Sequence, residues 1–370
     1  MPRRIRAAVC PGGGAAPVIE DLFLADPAPD EVVLRIEAAG VCHTDLEVSR
    51  WTPCPRVLGH EGAGTVVETG SAVRNLRPGD KVLATFASCG ACPNCADHRP
   101  AYCLSGPELN FEGRRSVPEP AVTRPDGSAI AAGFFGQSSF ATHALASERN
   151  CVTVPEDTPL ALAAPMGCSI QTGAGAVFSQ IGASAQRPLL VIGAGAVGLA
   201  AVMAGRILGC APILMVEPRH DRRALAHELG ASLAIDAADS DWPAQVRERT
   251  GGGASAALDT AGLQSTFEGG LAALRPGGTL GVVTLPAAFG EPVRHPGGMD
   301  FLAKSIVGVV EGDSDPARLL PRLINHLKAG ELPIDRIVTH YRFADIARAF
   351  SDAATRTAIK PVLTFVEEHV

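Results

Sequence analysis

The chain has 370 residues, 46% hydrophobic and 19% charged, with 40 Gly, 29 Pro and a formal net charge of −7. That composition is globular and long enough for two ordinary domains with a sizeable core. The acidic balance and the lack of a basic run argue against a nucleic-acid partner, and no window nears the roughly 18 uninterrupted apolar residues of a membrane span.

At the N-terminus, MPRRIRAAVCPGGG lacks the apolar core of a signal peptide, which points to a cytoplasmic location. Residues 31–70 hold two β-rich stretches, EVVLRIEAAG and GAGTVVETG, followed by the punctuation LRPGD. An all-β, barrel-like region is expected there. Between the two stretches stand two polar clusters on separate turns, Val41-Cys42-His43-Thr44-Asp45-Leu46-Glu47 and Leu58-Gly59-His60-Glu61-Gly62. A Cys and a His, each beside a carboxylate, can supply a metal and the groups that orient its ligands. Taken alone, Cys42 also reads as a small core residue and His60 as a satisfied core histidine.

Next comes CGACPNCADHRPAYC, which holds four of the chain's 10 cysteines in the spacing C-x2-C-x2-C-x7-C. In a reducing compartment clustered thiols read as metal ligands before disulfides. Four thiolates on one loop make a closed tetrahedral zinc site, whereas the ferredoxin run for an iron–sulfur cluster ends in a shorter gap. Pro93 and Pro100 suit a lobe of turns better than helix or strand. Cys89, Cys92, Cys95 and Cys103 are therefore expected to hold a structural zinc that does no catalysis. Cys10, Cys54, Cys151 and Cys210 are expected to be buried spectators.

The second half opens with PLLVIGAGAVG, an apolar strand (Leu189 to Ile192) running into Gly193-x-Gly195-x-x-Gly198 and then a helical stretch. The glycines permit a tight turn, close approach of backbone to a pyrophosphate and close helix packing, and the helix N-terminus offers free N–H groups to phosphate. A second strand, PILMVE, ends in Glu217, where a carboxylate takes ribose hydroxyls. Thereafter RRALAHELG, DWPAQVRERTG and QSTFEGGLAAL read as helices, and SLAID, SAALDTAG and GGTLGVVTL as strands. Strict alternation predicts a parallel doubly wound sheet at about residues 170–310. Glu217 repels a 2′-phosphate, while Arg219 and His220 attract one; the charge argument favours NAD over NADP.

These motifs together resemble the zinc-dependent medium-chain dehydrogenases, the alcohol dehydrogenase family, over essentially the full chain. GVCHTDL, LGHEGAGTVVETG, the four-cysteine lobe, MGCSIQTG, GAGAVG and IKPVLTF carry the resemblance. FFGQSSFATHAL (134–145) and VGVVEGDSDP (307–316) are most similar to the aryl- or benzyl-alcohol dehydrogenases and to geraniol dehydrogenase-type relatives. The resemblance implies an α/β protein: a GroES-like β-rich catalytic domain (1–169), a Rossmann domain (170–310) and a return to the catalytic domain (311–370). It makes Cys42, His60 and Cys168 the catalytic zinc ligands, with Glu61 behind the metal as a transient ligand and Asp45 orienting His60. Thr44 would pass the alcohol proton onward. Gly193, Gly195, Val197, Gly198, Glu217 and Arg219 would border the NAD, Thr172 its nicotinamide side, and Lys360 its pyrophosphate.

Two positions depart from the pattern of the liver-type enzymes. His43 stands where an arginine contacts the pyrophosphate, and Glu47 where a histidine ends the proton relay. The VSRWTPCPRVLG segment before His60 is also short, which alters the substrate entrance and the surroundings of Trp51. The expected protein is a homodimer or homotetramer with two zincs per chain, interconverting a primary aromatic or allylic alcohol and its aldehyde with NAD. Open alternatives are the same chemistry on another alcohol, a non-oxidoreductase, or a catalytically silent member of the fold.

Overall fold

The computed structural model describes residues 2–284 and 303–365. It divides into two compact units: Met1–Cys168 with Asp315–Asn325 and Ile334–Val370, and Ser169–Ser314 with His326–Pro333. Among the described residues, no single helix is long and apolar enough to cross a membrane.

The first unit is β-rich, as its sequence predicts. Glu31–Gly40 is its central strand, paired antiparallel with Gly62–Thr69, His143–Ser147 and Lys360–Thr364 in a seven-stranded sheet. Alternate side chains of this strand enter different cores, as the two-residue period of a strand requires. Val32, Leu34 and Ile36 join one apolar cluster, and Val33 joins another with Ile5, Leu22 and Leu145. A five-stranded sheet built on Arg3–Cys10 and Val18–Leu24 closes over the second cluster. The first polar cluster is not a turn as expected: helix α1 (His43–Trp51) starts there, with Cys42 at its N-cap. Pairing of Lys360–Thr364 with Glu31–Gly40 brings the C-terminal motif beside that helix start, where Val41 N–H donates to the Pro361 carbonyl.

The four-cysteine lobe corrects a second expectation. Pro93 and Pro100 each open a single helical turn, Pro93–Ala96 and Pro100–Tyr102. Proline at the first helical position lacks only an N–H that would have had no partner there, and its fixed φ suits the helix.

In the second unit, α2 (Ser169–Gly175) is buried at every residue. Six parallel strands follow, numbered here along this unit: β1 Leu189–Ile192, β2 Ile213–Val216, β3 Leu233–Ile235, β4 Ala254–Asp259, β5 Leu274–Val282 and β6 Ser305–Gly308. Their order in the sheet is β3-β2-β1-β4-β5-β6. Helices α3 (Ala196–Leu208) and α4 (His220–Leu229) follow β1 and β2, and α3 ends at Gly209 in the left-handed conformation (φ 79°) that closes many helices. The expected strands and helices are all present; the last residue of GGTLGVVTL, Leu285, lies outside the described residues. The order reverses between β1 and β4, and in open α/β sheets ligands bind outside the strand ends at such a reversal.

Candidate active site and metal centres

One carboxylate organises the first cluster. Asp45 is fully buried (0% exposed) on the first turn of α1. Its Oδ2 accepts the Cys42 backbone N–H at 2.9 Å, while its Oδ1 accepts the Gly59 N–H at 3.1 Å and faces His60 Nδ1 at 2.9 Å. Asp45 therefore ties the helix start to the loop carrying His60 and fixes a proton on Nδ1. Nε2 of His60 is buried without a hydrogen-bond partner of acceptable geometry. Cys42, His60, Glu61 and Cys168 each bring one ligand atom to within 4.8 Å of the others.

The electrostatics favour a cation at that point. Burial alone would lower the His60 pKa, but the charge and hydrogen bond of Asp45, with Cys42, hold it well above its ordinary value. A hydrogen bond from Cys168 outweighs burial and holds the Cys42 thiol well below its own, aided by the charges of Lys360 and His60. A thiol that gives up its proton readily supplies the thiolate that a metal ion takes as a ligand. Two sulfurs, one imidazole and a carboxylate are a borderline-soft donor set, which fits zinc. The orphaned Nε2 fits it too.

Glu61 is fully buried, and its carboxylate meets the Lys360 ammonium at 2.8 Å and 2.7 Å through its two oxygens. Lys360 also donates to the Val41 carbonyl at 3.1 Å. Burial would strip the ammonium of its proton, yet Glu61 and the Cys42 thiol outweigh it and raise the Lys360 pKa. Sequence reasoning placed this lysine at a cofactor pyrophosphate; the structure turns it inward, 2% exposed, onto Glu61. The pair leaves no room for a side chain at Gly40, whose added Cβ would lie 1.9 Å from Glu61 Oε2. Severing such a buried pair by removing one partner costs about 3–5 kcal/mol.

Residues beyond the expected set complete the frame. Gln137 is 2% exposed, and its amide accepts the Gly62 N–H while donating to the His60 and Thr85 carbonyls. Phe134 meets the His60 ring edge-on at 5.3 Å and Phe135 lies against it at 4.6 Å, with Phe111 edge-on to both phenylalanines. Sequence reasoning used FFGQSSF only as a likeness; Gln137 is followed by Ser138 and Ser139, so no local pattern set it apart.

On the outer part of α1, Glu47 Oε1 takes Arg50 at 2.8 Å and lies 3.4 Å from His43 Nε2. Helical spacing makes these pairs neighbours. Thr44 Oγ1 is 3.9 Å from the Cys42 sulfur.

The second cluster fits its expected metal as well. The sulfurs of Cys89 and Cys92 lie 4.0 Å and 3.5 Å from that of Cys95. Backbone N–H groups of Cys89, Ala91, Cys92 and Leu104 donate to sulfurs of the cluster. Such donors stabilise thiolate, and the Leu104 N–H leads in lowering the Cys92 pKa to about 6. All ten cysteines are free thiols, and Cys54 is exposed, contrary to expectation. Cys10 and Cys210 are buried and Cys151 partly so; burial pushes Cys10 and Cys151 up to about 12, so neither is reactive.

The glycine fingerprint is shaped for a phosphate. Gly193 has φ 94°, and Gly198 has no space for a side chain because an added Cβ would lie 1.8 Å from the Gly193 carbonyl oxygen. Gly195 caps α3 and borders open space, a cradle that any side chain would fill. Val197 lies in the first turn of α3. Glu217 follows β2 and accepts N–H groups of Ala194 and Arg219, which leaves lone pairs for a further donor. The Arg219 guanidinium pairs with Asp221 at 2.9 Å, and His220 opens α4. Thr172, on α2, lies 3.5 Å from Glu311 Oε2.

A cavity of about 260 Å³ opens beside the lobe, lined by Cys89, Arg115, Gln137 and Asn150 among others, but not by Cys42, His60 or Cys168. The donor chemistry, not the cavity, identifies the site.

Two family descriptions match the chain: the alcohol dehydrogenase GroES-like domain over residues 28–156 and the zinc-binding dehydrogenase over residues 196–325. The chain is 45% identical over 365 residues to a geraniol dehydrogenase of Castellaniella defragrans, covering 97% of each. It resembles the crystal structure of an alcohol dehydrogenase zinc-binding domain protein from Burkholderia ambifaria (TM-score 0.95, 41% identity, 98% of this chain and 99% of that one). It also resembles the benzyl alcohol dehydrogenase of Acinetobacter calcoaceticus (TM-score 0.93, 36% identity, the same coverage).

The lobe yields a test by metal analysis. Cys95→Ser should lose about one zinc per chain and melt at a lower temperature, because metal binding there is folding energy. Molecules that stay folded with the Cys42 cluster loaded should keep near-normal turnover. A variant with full stability and undiminished metal would remove the lobe from the metal sites.

Proposed function

The chain belongs to the zinc-dependent alcohol dehydrogenase family, and from that premise we propose that it transfers hydride between NAD and a primary alcohol or aldehyde, aromatic or allylic. The observation that carries the substrate class is the likeness, over nearly the whole chain, to enzymes named for geraniol and benzyl alcohol, an allylic and an aromatic primary alcohol. Glu217 beside the fingerprint and an Arg219 already paired with Asp221 support NAD over NADP.

Zinc, when bound, supplies Lewis-acid stabilisation of negative charge on the alcohol oxygen, and NAD supplies the hydride acceptor. The chain's own groups do the rest. Asp45 holds the His60 Nδ1 proton so that Nε2 presents its lone pair with Cys42 and Cys168. Lys360 restrains Glu61 within the cluster. Thr44 takes the alcohol proton at Oγ1 and hands it on, and Glu47, one helical turn away, is the acceptor at the end of the path. Arg219, Val197 and the fingerprint glycines border the NAD, Thr172 its nicotinamide side. With this reading go a cytoplasmic location, two zincs per chain and a homodimer or homotetramer; β6, an edge strand among the described residues, supports pairing between copies.

A panel of alcohols assayed by NADH absorbance tests the reading. Aromatic and allylic primary alcohols should exceed saturated primary, secondary and polyol substrates in kcat/KM by about tenfold or more, with NAD preferred over NADP. A secondary alcohol as best substrate, or NADP as preferred cofactor, contradicts it.

Glu47→Gln should slow alcohol oxidation by roughly tenfold near pH 7, with partial recovery at higher pH and unchanged zinc. His43→Gln should alter mainly NAD affinity. An unaffected Glu47→Gln beside a pH-dependent loss in His43→Gln would move the acceptor role to the histidine.

A further inference from the structure

Residues 311–313 adopt a conformation that side chains rarely choose. Glu311, Gly312 and Asp313 have φ values of 48°, 69° and 51°, three consecutive residues in the left-handed region. Each non-glycine residue there costs on the order of 1 kcal/mol, and such strain persists only where surrounding structure enforces it. Here the enforcement comes from α2. A Cβ on Gly312 would lie 2.4 Å from the Gln171 carbonyl oxygen, and one on Gly175 would lie 2.6 Å from the Gly312 carbonyl oxygen, so backbone meets backbone.

The contact delivers a carboxylate to the side chains of α2. Gln171 Nε2 donates to Glu311 Oε2 at 3.2 Å, and the Thr172 hydroxyl lies 3.5 Å from the same oxygen. Ser314, just past the strained turn, donates to Gln171 Oε1 at 3.2 Å. Gln171 is 0% exposed, Thr172 5% and Ser314 4%. A turn whose only task was to leave β6 would have no need of this geometry. Its effect is to place a negative charge against Thr172.

We infer that Glu311 is a positioning residue for Thr172, and that its charge shifts the balance of this site toward oxidised relative to reduced nicotinamide. The inference rests on the proposal that Thr172 borders the nicotinamide of NAD. The oxidised ring is a cation and the reduced ring is neutral, so a carboxylate held nearby stabilises the first and not the second. A purely structural role would affect both forms alike. The inference does not require that Glu311 lack other partners, since removing a negative charge makes the locality more positive either way.

The test is the dissociation constants of NAD⁺ and NADH, by calorimetry and NADH fluorescence, on zinc-loaded wild type and on Glu311→Gln, whose amide keeps the shape. NAD⁺ affinity should fall about tenfold and NADH affinity by less than about twofold, the order expected for one charge at close range. Glu311→Asp keeps the charge one methylene farther off; it should show a smaller shift of the same sign, and it carries the test if the glutamine variant does not fold. Equal losses for the two forms, or no loss, overturn the inference while leaving the NAD assignment standing. If wild type binds neither form, the NAD assignment fails and the inference falls with it.

Discussion

The Cys42–His60 cluster depends on a carboxylate buried from water. Asp45 accepts N–H groups from two separate segments and also orients His60. Hydrogen bonds to a charged group contribute about 1.5–3 kcal/mol each, and leaving a buried charge without them costs more. The start of α1 and the loop before Gly62–Thr69 therefore cannot separate without stranding that charge. Cys42 and His60 are carried on those two segments, so the fold's polar bookkeeping also sets the ligand geometry. Gln137 repeats the device from the other side by gripping the backbone of His60 and Gly62.

Behind this frame the chain stores a second buried charge, the Glu61–Lys360 pair, which joins residues far apart in sequence through the pairing of Lys360–Thr364 with Glu31–Gly40. A glycine at position 40 makes space for it. The second unit is held by different means: Gly193 turns with φ 94°, Gly198 lets α3 approach the Gly193 carbonyl, and Gly195 leaves open space at the start of α3.

Much of this was legible in the sequence because the signals are local. The six parallel strands and their helices follow from hydrophobic runs alternating with helical stretches, and the four-cysteine lobe follows from spacing and residue type; the grouping of Cys42, His60 and Cys168 came from the family resemblance, because Cys42 and His60 taken alone also read as core residues. What was not legible depended on three-dimensional partners. Lys360 turns inward because strand pairing delivers it to Glu61, which no local pattern reports. Cys54 is exposed, between Pro53 and Pro55, where residue type alone did not report burial. Pro93 and Pro100 were read as turn formers, although proline equally starts a helix, and the neighbouring lobe decided between the two. Glu311 was seen only as part of a likeness, since its left-handed backbone is imposed by contact with α2.

The central claim is that the Asp45-organised cluster is a zinc site distinct from the cysteine lobe. Anomalous diffraction at the zinc edge from crystals of the purified chain tests it directly. The account predicts two peaks per chain: one among Cys89, Cys92, Cys95 and Cys103, and one at about 2.3 Å from the Cys42 and Cys168 sulfurs and about 2.1 Å from His60 Nε2. A zinc-replete protein showing the lobe peak alone, with density at the second position absent, would contradict it.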